Sequence, residues 1–343
     1  MLSDPSYAFM VVRSVLPPTL GQHPKGPHED VLYTLVSVGY MIAANSSSCL
    51  RSALRLAGVL ASLFFLASPS TAQESSNPTG TSTASDLFNR VIANQKKAEV
   101  LLDEYERTQR IEKKATAADP DPAITCYRLF PGGPAVDKVP LSPDGKPPDG
   151  YRNDLEKLEK YLAWAAEDGL SQKDAYARAQ HKRKERFDLM DATHQAFVFT
   201  LEGKEMRGDR TLLRYSMTPN PAYKPTSRNT LIFTRVRGTL WIDEQSSELA
   251  KIEGSVTGDF SIALFLAKVY KGSQFMQERY EIAPGVWEPT FEQYDFDGRK
   301  FMVPFSIHER TFYTDYKHVG PPKESIAVVR AELSKLQADP PRH

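Results

Sequence analysis

The pattern of hydrophobic and polar positions is mostly helical in the first part of the chain and becomes that of β-strands after about residue 194. Just after residue 84, apolar residues recur at spacings of four, seven and three, which predicts an amphipathic helix behind a capping box of Thr83 and Asp86. The apolar positions of this helix are Leu87, Val91, Ala98 and Leu101. Two further helices are predicted between 151 and 190, the second capped by Ser171 with Asp174. The apolar side of the first of these two is Leu155, Leu158, Leu162 and Ala165.

From His194 to Tyr316 the spacing becomes that of short β-strands separated by Gly, Pro and Asn turn residues. No helix-length pattern interrupts this region, so we expect sequential strands to pair as an antiparallel meander. Earlier strands are predicted from Tyr105 and around 124–130, and a loop rich in Pro and Gly is predicted from there to Gly150.

One hairpin is predicted from its turn residues. Asp297-Gly298 is typical of a two-residue type I′ turn, and it would set Asp295 opposite Lys300. One face would then carry Tyr294, Phe296, Phe301, Val303, Phe305 and Ile307, and the other would carry Trp287, Phe291, Met302 and Pro304, with His308 across from Trp287. Both faces are apolar, whereas an open antiparallel sheet usually leaves one face to water. We therefore expect an α+β fold in which a curved antiparallel sheet, an incomplete β-barrel, is packed with about three helices around a hollow.

A second hairpin is predicted over residues 237–254. Its pattern pairs Leu240 with Ile252 and Ile242 with Ala250 on one apolar face. Trp241 then lies opposite Lys251 on the other face, among polar neighbours. The indole is interpreted either as a partly exposed cover over the lysine stem or as the rim of a ligand-binding hollow.

Composition excludes some classes of protein. The 343 residues include 43 basic and 43 acidic side chains, and this balance is not typical of a nucleic-acid-binding protein. With 41% hydrophobic residues and a mean hydropathy of -0.44, the body of the chain has the composition of a soluble globular protein. Cys126 is the one cysteine after residue 72, so we expect no disulfide there and interpret the thiol as a small buried hydrophobe.

The segment 41–72 has the three parts of a signal peptide. Arg51 and Arg55 precede the apolar run 56–67, which is followed by small residues ending at Ala72. We expect cleavage after Ala72, export to the periplasm, and an upstream extension over 1–40 that begins at a misplaced start codon. The remaining chain is expected to comprise a flexible leader (73–83), one domain (84–320) with a helical insertion at about 151–190, and a short C-terminal helix or tail (321–343).

Motifs for bond chemistry are missing from the sequence. There is no nucleophile elbow, phosphate loop, zinc-protease motif or cysteine pair, and no two histidines after residue 72 have helical metal-binding spacing. We therefore expect no enzyme activity, no cofactor and no metal. One basic run has two interpretations, a solvated helix face or a contact with anionic headgroups or an acidic partner. Its cations are Arg178, Lys182, Arg183 and Arg186.

Five segments carry a resemblance to a known family. They are FVFTLEGKE (197–205), RGTLWIDEQSSELAKIEG (237–254), AKVYKGS (267–273), GVWEPTFEQYDFDGR (285–299) and FYTDY (312–316). Together with the export signal and the helix that leads into a strand, they resemble the LolA-like superfamily, the periplasmic lipoprotein carriers with their relatives LolB and RseB. The similarity is greatest to an uncharacterised branch of outer-membrane lipoprotein-sorting-type proteins. The resemblance implies an incomplete barrel around helices, with an apolar hollow for acyl chains.

The expected function is non-enzymatic binding of a lipid or lipoprotein in the periplasm, in the manner of outer-membrane lipoprotein sorting. The residues expected to line the hollow are Phe197, Phe199, Leu201, Trp241, Trp287, Phe291, Phe301 and Phe305. Two alternatives remain at this point: an envelope-stress sensor or scaffold that binds a protein partner, and, less in keeping with the absent motifs, an exported hydrolase.

Overall fold

The computed structural model describes residues 80–227, 229–262, 267–300 and 303–338. The expected upstream extension, the signal peptide and residues 73–79 of the expected leader lie outside these ranges, as do Phe301 and Met302.

Four α-helices and twelve β-strands are present in the described residues. The helices are α1 (Gly80–Leu101), α2 (Tyr151–Ala166), α3 (Leu170–Ala196) and α4 (Pro322–Ala338). The strands are β1 (Tyr105–Lys114), β2 (Ala123–Pro131), β3 (Val136–Leu141), β4 (Phe197–Arg207), β5 (Arg210–Pro219), β6 (Val236–Asp243), β7 (Leu249–Val256), β8 (Phe260–Ile262), β9 (Ala267–Val269), β10 (Gln274–Ala283), β11 (Val286–Lys300) and β12 (Val303–His318). Short 3-10 turns occupy Leu102–Glu104 and Asn229–Arg235.

All twelve strands belong to one antiparallel sheet with the order β3-β2-β1-β12-β11-β10-β7-β6-β5-β4, and the short β8–β9 pair joins it at the end of β11. The strands β3 and β4 are the edges, so the sheet is open rather than closed. The pairing of β1 with β12 brings the first and last strands together in the middle of the sheet. The α+β class with a curved antiparallel sheet and helices packed on it is therefore confirmed.

Helix α1 differs from its prediction at its first turn. It begins at Gly80, so Thr83 lies inside the helix and the predicted cap is wrong. Leu87, Val91 and Ala98 are buried as the spacing predicted. The polar residue that interrupts their stripe, Asn94, makes contacts with the β6–β7 turn.

Helix α3 begins at Leu170, after an extended Gly169 that provides no side-chain cap. Capping by Ser171 with Asp174 is therefore wrong. The Ser171 hydroxyl instead accepts a hydrogen bond from Trp164 Nε1 at 3.3 Å and donates one to Gln172 at 2.9 Å. The serine thus links α3 to the end of α2.

The region predicted as a loop up to Gly150 contains strand β3. This strand pairs with β2, and its Val139 is buried. Pro140 lacks a backbone donor, but a proline is tolerated here because β3 is an edge strand. The high content of Pro and Gly around this strand concealed it in the sequence.

The Asp297-Gly298 turn is wrong. Strand β11 continues through both residues, Lys300 pairs with Val303, and Asp295 pairs with His308 rather than with Lys300. The glycine serves a packing purpose instead: a Cβ at Gly298 would lie 2.6 Å from the Phe305 ring and 2.3 Å from the Lys268 carbonyl oxygen. It therefore allows an aromatic ring to lie directly across the neighbouring strand.

The face assignment of this hairpin is correct despite the wrong turn. The pairing moves along the strands by an even number of residues, and side chains alternate with a period of two. Accordingly, Tyr294, Phe296, Phe305 and Ile307 are all buried in the same core cluster. Trp287 does not face His308; it pairs with Glu281, while His308 Nδ1 lies 3.0 Å from Asp295 Oδ1.

The β6–β7 hairpin is close to its prediction. Leu240 pairs with Ile252 and Trp241 pairs with Lys251, as expected. Ile242 pairs with Leu249 instead of Ala250, because the register shifts between Trp241 and Ile242 and leaves Ala250 as the extra residue of a bulge.

Helices cover the sheet in two places, which define two cores. The main core lies between α1, α3 and the face of the sheet that carries Leu240, Tyr294 and Phe296. The end core lies between α2, α4 and the β2–β3 end of the sheet. Its members are Phe130, Val139, Tyr151, Leu155, Leu158, Leu162, Val319, Ile326, Val329 and Leu333.

Candidate ligand-binding interior

The residues expected to line a hollow are divided between two faces of the sheet. Phe197 and Phe305 are buried in the main core, and Phe199 packs against it. Trp241 and Trp287 form a separate buried cluster with Leu212 and Ala250, and Trp241 alternates with main-core residues on its own strand.

The remaining expected residues lie apart from both clusters. Leu201 is 52% exposed on the edge strand β4. Phe291 is half-buried and its ring centroid lies 5.1 Å from that of Phe312. Phe301 lies outside the described residues.

The Trp241 indole is packed under charged side chains and is only 7% exposed. Its Nε1 donates a hydrogen bond to Glu205 Oε2 at 2.9 Å. Lys251 Nζ lies 4.7 Å from the ring centroid, and the Arg214 guanidinium lies 5.9 Å from it. Both the apolar ring and its single donor are therefore satisfied by residues of this sheet face.

A shallow groove of about 590 Å³ crosses the same face of the sheet. It is lined largely by polar side chains of β4 to β7, β10 and β11, including Glu202, Arg237, Glu253 and Asp295. None of the seven described residues expected to line a hollow borders this groove.

The first half of α1 covers the main core with few side chains. Leu87, Phe88 and Val91 are its buried apolar residues there. The Phe88 ring stacks on Phe199 with 4.0 Å between centroids and meets the Tyr215 ring edge-on at 5.2 Å. The 27-residue α3 buries little more against this core, so the helical cover is thin for so broad an apolar face.

Polar contacts tether α1 to the β6–β7 turn. Asn94 Nδ2 donates to the carbonyl oxygens of Ser246 and Ser247, each at 3.1 Å, and Arg90 Nε donates to Ser247 Oγ at 3.2 Å. Hydrogen bonds of this kind contribute about 1 kcal/mol each, so the tether is modest.

Ion pairs tether the end of α1 to α3. Arg186 pairs with Glu99, and Arg183 pairs with Asp103 in the 3-10 turn that follows α1. Two cations of the basic run are thus neutralised within the chain. Arg178 of the same run is exposed, and Lys182 is half-buried.

The main-core face of the sheet is not apolar throughout. Along β10, Phe275 is followed on the same face by Gln277 and then Arg279, all buried. Along β11, buried Tyr294 is preceded on its face by buried Glu292. Because Phe275 pairs with Tyr294 and Gln277 with Glu292, the change from apolar to polar occurs at the same level on both strands.

Strand β12 and helix α1 change at this level too. On β12, Ile307 is followed on the same face by Glu309 and Thr311, and Thr311 pairs with Glu292. On α1, Val91 is followed along the buried stripe by Gln95 and Glu99, both 7% exposed. We call the part beyond this boundary the polar zone and the part before it the apolar zone.

Hydrogen bonds join the polar zone across four strands, β10, β11, β12 and β1. Gln277 Nε2 donates to Glu292 Oε1 at 2.8 Å, Tyr313 donates from its hydroxyl to Glu292 Oε2 at 3.1 Å, and Gln109 Nε2 donates to the Tyr313 hydroxyl at 3.2 Å. Burial raises the pKa of Glu292, although the bonds from Gln277 and Tyr313 oppose the shift.

A buried ion pair lies beside this network. Arg279 and Glu288 are both fully buried, with Nη2 and Oε2 3.8 Å apart, and Arg279 Nη2 donates to the Trp287 carbonyl oxygen at 2.7 Å. Burial raises the pKa of Glu288 to about 7; Arg279 lowers it, and the nearby carboxylates of Glu99 and Glu248 raise it further.

Sequence reasoning missed the polar zone. No role is predicted from the sequence for Gln277 or Glu292. The two-residue alternation that places Phe275, Gln277 and Arg279 on one face was a signal that could have identified them.

Two further properties concern only the part of the chain that the structure describes. Within it, no helix has the length and apolar content needed to cross a membrane. The same residues contain no group of three or more His, Cys, Asp and Glu side chains that could hold a metal ion.

No protein-family model and no curated protein matches the chain. Among solved structures, it is similar to a domain from Vibrio parahaemolyticus assigned to the outer membrane lipoprotein-sorting proteins, at 8% identity, with 67% of this chain and 93% of that chain covered and a TM-score of 0.29. It is also similar to a LolA superfamily protein from Nitrosomonas europaea, at 11% identity, covering 68% and 93%, with a TM-score of 0.28.

A third similar structure is the complex of MucA and MucB from Pseudomonas aeruginosa, at 10% identity, covering 68% of this chain and 94% of that chain, with a TM-score of 0.21. The second of these structures belongs to the superfamily that the sequence resembles. With TM-scores below 0.5, these likenesses carry no conclusion about this chain.

Proposed function

We propose that the protein is an exported, non-catalytic binding protein of the periplasm that shelters acyl chains of a lipid or lipoprotein between α1 and the sheet, as in outer-membrane lipoprotein sorting. The observation that carries the proposal is the thin, polar-tethered cover that α1 makes over a broad apolar face. An acyl chain would replace Leu87, Phe88 and Val91 against that face. Of the residues expected from the sequence, Phe197, Phe199 and Phe305 belong to this interior.

Magnitudes favour such an exchange. Withdrawing three large apolar side chains from the core costs roughly 5–9 kcal/mol, at about 1.5–3 kcal/mol each. A chain of about 14 methylenes contributes about 11 kcal/mol when it is buried in their place, at about 0.8 kcal/mol per methylene. Burial of the acyl chain therefore compensates for the displacement of the helix, and the polar tethers limit how readily α1 opens without a ligand.

Native mass spectrometry of the protein, purified from the periplasm after expression with its own export signal, tests this function. We expect bound lipid or lipopeptide, and amino-terminal sequencing should give a mature chain that begins at Gln73. A lipid-free protein that also fails to bind added fatty acid would refute the proposal. A lipid-free protein that co-purifies stoichiometrically with one envelope protein would instead favour the sensor or scaffold.

A reversible lock on α1 provides a sharper test. Asn94→Cys with Ser246→Cys would join α1 to the β6–β7 turn where these residues are already in contact, in a Cys126→Ser background that leaves no other thiol after residue 72. We expect the oxidised protein to lose acyl-chain binding and the reduced protein to regain it. The same protein under reducing conditions is the matched control. Equal binding by the oxidised and the reduced protein would show that the acyl chain does not enter beneath α1.

A further inference from the structure

The interior beneath α1 has two chemically different parts arranged in line. Leu87, Phe88 and Val91 of α1 face the apolar zone. One to two turns later Gln95 and Glu99 are also buried, and Glu99 lies near enough to Glu288 of the polar zone to raise its pKa. The sheet changes at a matching level on β10, β11 and β12. A ligand lying along α1 would therefore meet an apolar surface with one end and a buried polar surface with the other.

The polar zone contains acceptor oxygens that receive no hydrogen bond from the protein. Within the described residues, these buried atoms have no hydrogen-bond partner: Gln277 Oε1, both carboxylate oxygens of Glu288, Glu248 Oε2 and Gln109 Oε1, alongside the donor Gln95 Nε2. Glu288 is fully buried and Gln277 is 1% exposed, so solvent at the surface of the folded chain does not reach them. Buried acceptors of this kind are normally paired, because leaving one unpaired costs about 1–3 kcal/mol.

The hydrogen-bonding groups of this zone favour a donor head. Its acidic side chains are Glu99, Glu248, Glu288 and Glu292, and Arg186 pairs with the first of these. Burial raises the pKa of the other three, although Arg279 lowers it. An anionic head would bring only further acceptors to the unpaired oxygens, whereas an ammonium group would donate three hydrogen bonds.

We propose that the amphiphile bound beneath α1 carries a primary ammonium head, which the polar zone binds through Glu288, Glu248 and Gln277, while its chain lies in the apolar zone. This inference rests on the proposed function, since it specifies the chemical class of the same ligand. Deprotonation of Glu288 strengthens the site, so the affinity for an ammonium head rises between pH 6 and pH 8.

Chain-matched probes separate the two proposals. Binding of dodecylammonium, dodecanol and dodecanoate is measured by calorimetry below their micelle concentrations at pH 8. We expect dodecylammonium to bind at least tenfold more tightly than dodecanoate. If none of the three binds, the proposed function itself is wrong. If dodecanoate binds as tightly as dodecylammonium, acyl-chain binding stands and the ammonium head is refuted.

Variants locate the head. Glu288→Gln keeps the side-chain volume and removes the charge, so it should reduce the preference for dodecylammonium over dodecanol by about tenfold. Glu248→Gln is the second variant if the first does not fold. Glu253→Gln removes a carboxylate from the groove on the opposite face and is the matched control. A preference lost in Glu253→Gln but retained in Glu288→Gln or Glu248→Gln would place the cation in the groove and overturn the inference.

Discussion

The end core and the main core solve the same problem, covering a sheet with two helices, in different ways. In the end core, α2 and α4 interlock through fully buried side chains such as Leu155, Leu162 and Val329. Arg128 of β2 adds ion pairs to Glu106 and Glu332 and a hydrogen bond to Tyr151 at 3.0 Å. In the main core, α1 and α3 meet the sheet with few apolar residues and are held largely by polar contacts at their margins.

The difference indicates which helices are permanent and which can move. Helices that interlock through buried leucines lose both burial and packing when they separate, which costs several kcal/mol. Helix α1 also buries three large apolar side chains, but its other contacts are hydrogen bonds and partly exposed ion pairs, whose partners water can replace. The end core is thus the rigid support of the molecule, and in the proposed function α1 is the cover that moves.

The largest expected effect on stability comes from a substitution in the end core. Leu162→Ala removes a fully buried side chain between α2 and α4 and should lower the free energy of unfolding by about 2–5 kcal/mol, measured by urea denaturation. Leu170→Ala, at a position that is 79% exposed, is the control and should change it by less than about 0.5 kcal/mol. A cost below about 1 kcal/mol for Leu162→Ala would show that the end core is loosely packed.

The pH dependence of stability tests the polar zone of the main core. The pKa of Glu288 is raised from 4.5 to about 7 in the folded state, so the folded chain binds more protons than the unfolded chain within this interval. Stability therefore falls as pH rises from about 4.5 through about 7, by about 3 kcal/mol from this group. Urea denaturation at pH 5 and pH 8 should show most of this difference. The dependence should be smaller by that amount in Glu288→Gln; an identical dependence in both proteins would contradict it.

The tether of α1 gives a smaller, local effect. Asn94→Ala removes two hydrogen bonds between α1 and the β6–β7 turn, which should favour opening of α1 by about 1–2 kcal/mol. Hydrogen exchange of α1 amides should accelerate by roughly 5- to 30-fold. Amides of α2 serve as the internal control and should keep their rates. Equal acceleration in α1 and α2 would mean that the two helices open together and that the distinction between the cores is wrong.

The smallest effect is expected at Trp241, on the face of the sheet away from α1. If the acyl chain lies beneath α1, Trp241→Phe should change the affinity for a long-chain amphiphile by less than about twofold, since a cost of 0.4 kcal/mol corresponds to that factor. The sequence-based interpretation of Trp241 as the rim of the hollow expects a larger loss. Titration of both proteins with the same amphiphile distinguishes the two, and a tenfold loss would move the site to the Trp241 face.

Local patterns in the sequence determined much of the secondary structure. The apolar spacing of α2 identified all four of its predicted core residues, Leu155, Leu158, Leu162 and Ala165. The face of β11 and β12 that carries Tyr294, Phe296, Phe305 and Ile307 was also predicted correctly, although the turn was placed wrongly. The alternation of side chains between the two faces of a strand is a local property. A face assignment therefore stays correct when the predicted register is wrong by an even number of residues.

Tertiary structure decided the rest, because the contacts that explain why a given residue type is present can come from a distant strand or helix. Gly298 is a glycine because the Phe305 ring crosses it, and Asn94 interrupts an apolar stripe because two carbonyl groups of another hairpin accept its amide hydrogens. Gln277 and Glu292 are typical of surface positions when each strand is taken alone. They become interior residues only when α1 is placed over them, since the burial of a strand's face depends on what covers it and not on the strand itself.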